Sequence, residues 1–282
     1  MQEQRAHEEE PAGLAPRPCI GVFDSGLGGL TVLRALRQRL PQAGLLYVAD
    51  TAHAPYGEKS PEYIAERSLR IGGHLRALGA KLIVVACNTA TAHAIETMRR
   101  RWPTLAIVGI EPGIKPAVAA SGNGRVGVLA TQATIASPRY QALVERYRER
   151  ALIYSQPCPG LVDLIELGDL ESPALLELIE RLCGPLREAG VDTVLMGCTH
   201  YPLVQAQLQA ALGAKVQLLN IEDAVAQQAE RLWARTDERA MLGELRLQTS
   251  GDATALTRFV HQVFGWADVR AEALPPLDPS DA

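Results

Sequence analysis

The sequence predicts an α/β fold of two pseudo-symmetric lobes, each with a largely parallel sheet flanked by helices. Three observations lead there. Short apolar runs of strand length alternate with helix-patterned stretches along the chain, as stacked βαβ units require. One pattern, an apolar strand followed by a small residue, a cysteine and polar groups, occurs twice: Ile83-Val84-Val85-Ala86-Cys87-Asn88-Thr89 and Val194-Leu195-Met196-Gly197-Cys198-Thr199-His200. At 282 residues the chain has room for two domains of ordinary size, each with a core.

Residues 19–23 read as a buried strand and 30–40 as a helix closed by Pro41. A second strand over 45–49 leads into a loop through Pro55-Tyr56-Gly57. Ser60 then has the chemistry of an N-cap, with Pro61 at the first helical position and Glu62 in the first turn, and the helix stops at Gly79. Residues 81–86 form a third strand and 91–101 a helix ended by Pro103. The plan then repeats: 125–130 runs into the polar turn Thr131-Gln132 as 19–23 runs into Asp24-Ser25. Pro112 to Pro116 marks a boundary, and a helix over 222–234 leads back to the first lobe. The expected organisation is a flexible acidic arm over 1–18, a first lobe from 19–112 and 223–272, a second from 113–222, and a loose tail over 273–282.

Composition narrows the function. A 47% hydrophobic and 21% charged chain is ordinary globular material, and no apolar run approaches the roughly 20 residues of a membrane-spanning helix. The start lacks the apolar segment of a secretory signal, so a cytoplasmic location is expected. A net charge of -4 and a pI near 5.9 argue against a general nucleic-acid binder. Five cysteines, odd in number and without C-x-x-C spacing, read as free thiols in a reducing compartment rather than as disulfides or a zinc site.

Cys87 and Cys198 each follow a buried strand and are read as preceding a helix, the carboxyl edge of a parallel sheet where ligands bind. A helix N-terminus there favours thiolate over thiol. One such cysteine is as readily a packing residue, and Cys19, Cys158 and Cys183 are left as such. Two in matching settings point to function: two groups of similar acidity suit removal of a proton from one face of a carbon and its return to the other, which is racemisation or epimerisation. The unperturbed thiol pKa of about 8.5 lies nearer neutrality than that of aspartate or lysine.

Asp24-Ser25-Gly26-Leu27-Gly28-Gly29 is neither a Walker loop nor a dinucleotide fingerprint, and its glycines alone read as a tight turn. Asp24, a carboxylate ending a buried strand, needs a cleft or a partner. His200 stands two residues past Cys198, placed to orient it or exchange protons with it. Ser25, Asn88, Thr89 and Thr199 offer neutral hydrogen-bonding groups at the same edge. Lysine occurs only at Lys59, Lys81, Lys115 and Lys215, none beside a thiol motif, so a pyridoxal Schiff base is not expected.

Four stretches, Val22 through Gly29, Pro55-Tyr56-Gly57, Val85-Ala86-Cys87-Asn88-Thr89-Ala90 and Gly197-Cys198-Thr199-His200-Tyr201-Pro202, resemble in order and spacing the motifs of the aspartate/glutamate racemase family, its glutamate racemases in particular. The resemblance spans about residues 19–235. It implies a substrate enclosed between the lobes, no cofactor and no metal, and interconversion of L- and D-glutamate for peptidoglycan synthesis. By position it makes Cys87 and Cys198 the acid/base pair, with Asp24 assisting the first, and His200 and the auxiliary carboxylate Glu166 the second. Asp24, Ser25, Tyr56, Gly57, Asn88, Thr89, Thr199 and His200 match substrate-binding positions, with Asp50 and Thr131 or Thr134 as further lining. It also implies that Cys87 deprotonates the D-form and Cys198 the L-form. The partners implied are glutamate and, for relatives with similar N-terminal extensions, the activator UDP-N-acetylmuramoyl-L-alanine; a homodimer is compatible, and no membrane or nucleic-acid partner is expected. Two other readings stay open: an aspartate racemase on the same fold, and a two-lobed amino-acid binding protein without catalysis.

Overall fold

The computed structural model describes residues 17–236 and 243–277. The first lobe opens with β1 (Cys19–Asp24), α1 (Leu30–Arg39), β2 (Leu45–Ala49), α2 (Pro61–Ala77), β3 (Ala80–Val85), α3 (Asn88–Arg101) and β4 (Ala106–Gly109). Then come α4 (Ile114–Ala120), β5 (Arg125–Ala130), α5 (Gln132–Ala136), α6 (Pro138–Tyr147), β6 (Leu152–Pro157), α7 (Leu161–Glu166), α8 (Pro173–Glu188), β7 (Thr193–Met196), α9 (Gln205–Leu212) and β8 (Gln217–Leu219). The chain finishes with α10 (Glu222–Trp233), β9 (Leu245–Thr249), α11 (Ala253–Phe264) and β10 (Ala271–Ala273).

Among the described residues all strand pairs are parallel and fall into two sheets, ordered β10-β9-β2-β1-β3-β4 and β6-β5-β7-β8. Taking β5 to β8 as counterparts of β1 to β4, the second sheet repeats the inner order of the first. In each sheet the winding reverses beside the first strand, between β1 and β3 and between β5 and β7, the place where open α/β sheets bind ligands at the strands' carboxyl ends. Asp24 and Cys87 come from one such switch point, Thr131 and Cys198 from the other.

The inner strands read as unbroken apolar runs because both their faces are covered. Ile20 and Val22 of β1 face a core that continues through Val126, Val128, Leu195 and Val225, so a single apolar cluster runs through both sheets. Phe23 faces the opposite way, onto Ile64, Ile71 and Met98 of α2 and α3. A separate cluster around Leu161, Leu178, Leu182 and Met196 serves the far side of the second sheet.

Several expectations shift. The helix expected over 91–101 begins at Asn88, because Cys87 is its N-cap and the sulfur accepts from Ala90 N–H at 3.4 Å. Cysteine is not among the residues that mark a helix start, so that signal was silent. After Cys198 no α-helix follows until Gln205; residues Tyr201–Val204 form a short 3-10 turn. Past residue 235, β9 joins β2 and β10 joins β9, extending the first sheet. Leu274 N–H donates to Thr249 O at 2.7 Å and Leu277 packs on the core, so residues 273–277 are held rather than loose. The expected arm up to residue 16 and the tail from 278 lie outside the described residues. No helix among the described residues is long and apolar enough to cross a membrane.

Candidate active site

The turn after β1 is organised by Asp24, which is fully buried. Its two carboxylate oxygens accept from Ser25 N–H at 2.8 Å and Gly29 N–H at 2.7 Å. Burial pushes the carboxyl up, against the lowering influence of His200 and the Gly29 N–H. Ser25 Oγ lies 3.5 Å from Cys87 Sγ, and the charge of Asp24 acts on the thiol. Burial, followed by the charge of Asp24, drives the Cys87 thiol far above its ordinary value; Ala90 N–H and Ser25 pull the other way without prevailing. For Cys87 the expectation that the helix N-terminus favours thiolate is thus overturned. Loss of solvent around a completely enclosed sulfur outweighs half a charge of helix dipole.

The second thiol has a different entourage. Cys198 Sγ lies 3.7 Å from His200 Nδ1, and His200 Nε2 lies 2.8 Å from Glu166 Oε1. Burial alone would lower His200, but Cys198 and Glu166 outweigh it and hold the imidazolium well above its usual range. Glu166 is reciprocally held down: burial opposes this, and the His200 pairing and the Leu27 N–H prevail. Gly28 N also lies 3.0 Å from Nε2, yet a nitrogen donating to Glu166 has no lone pair to offer. The Gly28 bond therefore belongs to the neutral imidazole with its proton on Nδ1.

Glu166 Oε1 accepts from Leu27 N–H at 2.9 Å, so the glycine-rich turn holds the protein's own carboxylate from the other lobe. A Cβ on Gly26 would collide with Glu166, and one on Gly28 with His200. The glycines serve close approach between lobes as well as the turn.

Hydroxyls join the lobes on the other side. Thr89 Oγ1 lies 2.9 Å from Thr131 Oγ1, which lies 2.9 Å from Thr134 Oγ1. Gly57 packs on Thr131, where an added Cβ would stand 3.1 Å from the threonine Cβ. Tyr56 is buried and donates to Asp50 Oδ2 at 2.6 Å, while Arg67 grips both oxygens of Asp50. Asp50 is committed to bracing the Tyr56 loop rather than to lining a cleft. Asn88 is 4% exposed, and both polar atoms of its amide lack a hydrogen-bond partner. Buried amides are rarely left so, and this one sits at the switch point beside Cys87. Thr199 is buried next to Cys198, its carbonyl accepting from Thr31 Oγ1 at 3.3 Å.

Sequence reasoning passed over Thr31, Arg67 and Tyr47. Tyr47 is buried in β2 and donates its hydroxyl to Gly26 O at 2.9 Å, fixing the turn. A phenol inside an apolar strand run was the available signal, since a buried tyrosine hydroxyl needs a partner.

A family model described as Asp/Glu/Hydantoin racemase matches residues 30–229. The chain belongs to this family. It is 54% identical over 213 residues to a glutamate racemase of Pseudomonas aeruginosa (strain UCBPP-PA14), covering 76% of this chain and 80% of that one. Among solved structures it is similar to glutamate racemase isoform RacE1 from Bacillus anthracis, with a TM-score of 0.83 at 27% identity over 93% of this chain and 100% of the other. It is also similar to Escherichia coli glutamate racemase in complex with L-glutamate and the activator UDP-MurNAc-Ala, with a TM-score of 0.82 at 30% identity over 92% and 98% of the two chains. The α/β architecture of two parallel sheets flanked by helices is shared with these racemases.

Proposed function

We propose that this protein is a glutamate racemase that moves a proton on and off the α-carbon between Cys87 and Cys198. The observation that carries the reading is the equivalent placement of two buried thiols, each just past the strand that borders the switch point of its own sheet. Relatives named glutamate racemases support glutamate over aspartate. The substrate is enclosed between a first lobe of 19–112 and 223–272 and a second of 113–222. Its polar groups meet Ser25, Asn88, Thr89 and Thr199, with Asn88 supplying the amide that has no protein partner.

For D-glutamate, the Cys87 thiolate takes the α-proton and the Cys198 thiol returns one to the opposite face. The L-product leaves Cys87 as thiol and Cys198 as thiolate, and the reverse reaction exchanges the two roles. Asp24, its own affinity for protons increased by burial, takes up and returns the Cys87 proton. The His200 imidazolium, held by Glu166, faces the Cys198 sulfur and stabilises its anion. No pyridoxal phosphate or metal enters these steps. D-Glutamate serves peptidoglycan synthesis, and five free, buried thiols suit a reducing cytoplasm.

The decisive test is incubation of D-glutamate, and separately aspartate, in deuterated water with a chelator present and no added pyridoxal phosphate. Deuterium at the α-carbon with appearance of L-glutamate is expected. A protein that binds glutamate without exchange would be a binding module, and preferred exchange of aspartate would reassign the substrate.

The same reading extends to control by UDP-N-acetylmuramoyl-L-alanine, the kind of activator bound in the Escherichia coli relative. Two lobes around one substrate offer an equilibrium that such a ligand biases toward the competent arrangement. Racemisation is compared with and without it, in the full chain and in one starting at Cys19. Equal rates in all four conditions would refute the control.

A further inference from the structure

Tyr201 follows the second thiol motif, and its N–H donates to Cys198 O at 3.1 Å, wrapping the short turn back onto the cysteine. The side chain is fully buried, yet its hydroxyl makes no formed hydrogen bond. A buried phenol ordinarily finds a partner, and an unmade bond there is costly. Cys158 and Cys198 are buried in the same apolar cluster, and theirs are the charges that act on this hydroxyl. Cys158 is a poor partner on two counts. Its thiol donates to Gln156 O at 3.3 Å, and burial pushes it up to about 12, so it remains a neutral, weak acceptor at physiological pH.

We propose that Tyr201 is a positioning residue for Cys198, its phenol hydroxyl being the donor that this sulfur engages each time it becomes a thiolate. A thiol accepts weakly and a thiolate strongly, so the hydroxyl's missing bond is completed only in the ionised state. An interaction stronger in one protonation state than in the other shifts the balance between them, which a passive packing contact does not. The need is specific to this lobe. Cys87 has Ala90 N–H and Ser25 as donors, whereas Cys198 enters a turn without an α-helix and depends on side chains. His200 approaches at 3.7 Å with Glu166 behind it, and Tyr201 adds a neutral donor; Cys87 and Cys158 are the other titratable groups close by.

The proposal rests on Cys198 acting as an acid/base thiol, and Tyr201→Phe tests it separately from that reading. Alkylation of Cys198 by iodoacetamide is followed across pH, without substrate, by mass spectrometry of the peptide that carries it. The midpoint should rise by about one pH unit, roughly a tenfold loss of thiolate at a given lower pH. The Cys87 midpoint stays in place, and kcat falls about tenfold with L-glutamate, where Cys198 is the base, with KM unchanged. Cys158→Ala leaves the Cys198 midpoint where it was. Global replacement of tyrosine by fluorotyrosine, which retains a more acidic hydroxyl, lowers that midpoint and serves if Tyr201→Phe fails to fold. An unmoved Cys198 midpoint in folded Tyr201→Phe, a rise with fluorotyrosine, or a Cys158→Ala shift equal to that of Tyr201→Phe would each overturn the proposal. A wild-type protein that fails to racemise would instead refute the acid/base reading and leave the alkylation result standing.

Discussion

Cys87 ends its strand as the N-cap of a long helix, with a buried aspartate beside it, while Cys198 ends the equivalent strand in a turn that becomes α-helical only at Gln205. One thiol has the Ala90 N–H, the Ser25 hydroxyl and a carboxylate that burial inclines toward protonation. The other faces an imidazolium fixed by a carboxylate from the same lobe. Duplicated strand order therefore delivers two sulfurs to equivalent places without giving them equivalent electrostatics. The proposed two-thiol reaction needs each thiol in both protonation states, and the surroundings offer two physical routes to that: a nearby carboxylate for Cys87 and a nearby cation for Cys198.

Removing either sulfur abolishes the contrast between the two lobes. Cys87→Ser and Cys198→Ser should each reduce racemisation in both directions by about three orders of magnitude or more, since every turnover needs a base and an acid on opposite faces. Chiral analysis of product from each enantiomer checks this. Near-normal racemisation by either variant would dismiss the two-thiol scheme.

Asp24→Asn and His200→Asn should separate the two sides. Each slows turnover by about a hundredfold while circular dichroism remains native, and the larger loss falls with D-glutamate for Asp24→Asn and with L-glutamate for His200→Asn. Equal losses in both directions for both variants would show that the assistants do not divide as the two surroundings suggest.

Glu166→Gln addresses the sign of the His200 effect. A raised imidazole value means that the pairing is fully present at pH below the unfolded histidine range and is lost as pH rises through the folded value. The depressed Glu166 value means that its contribution is present above the unfolded carboxyl range and is lost as pH falls through the folded one. Between these limits the pair is intact. Removing the carboxylate should bring His200 deprotonation to lower pH, visible in the imidazole resonances by NMR, and carry the alkaline limb of kcat down with it. A His200 titration that stays in place would assign its charge to Cys198 alone.

The smallest effect contrasts the two N-caps. Ser60 caps α2 by accepting Tyr63 N–H at 3.2 Å, far from both thiols in role and exposed to solvent. Ser60→Ala should cost about 1 kcal/mol and lower Tm by a few degrees, with kinetics unaltered. A kinetic effect of Ser60→Ala comparable to that of Asp24→Asn would mean that helix capping, rather than local charge, governs the Cys87 side.

Local chemistry in the chain accounts for much of this. The apolar runs at 45–49 and 125–130 coincide with strands, and Ser60-Pro61 opens its helix as the cap rule requires. The segment past residue 235 was opaque because Leu245-Arg246-Leu247-Gln248-Thr249 mixes polar with apolar residues and acquires its identity only by pairing with β2. The cap at Cys87 was invisible because the sulfur does what an oxygen normally does.

By itself the sequence determined the strands at 45–49 and 125–130, which turns carry glycine, and that two thiols stand at matching positions, since these follow from residue type and short-range periodicity. Only the tertiary structure decided that Glu166 meets Leu27 across 139 residues and that His200 reaches Gly28 across 172. It also decided that the Cys87 thiol is raised rather than lowered. Each of these depends on how one apolar core holds two sheets together and how completely that packing strips water from the groups between them, which is a collective property of many distant residues rather than of any local stretch.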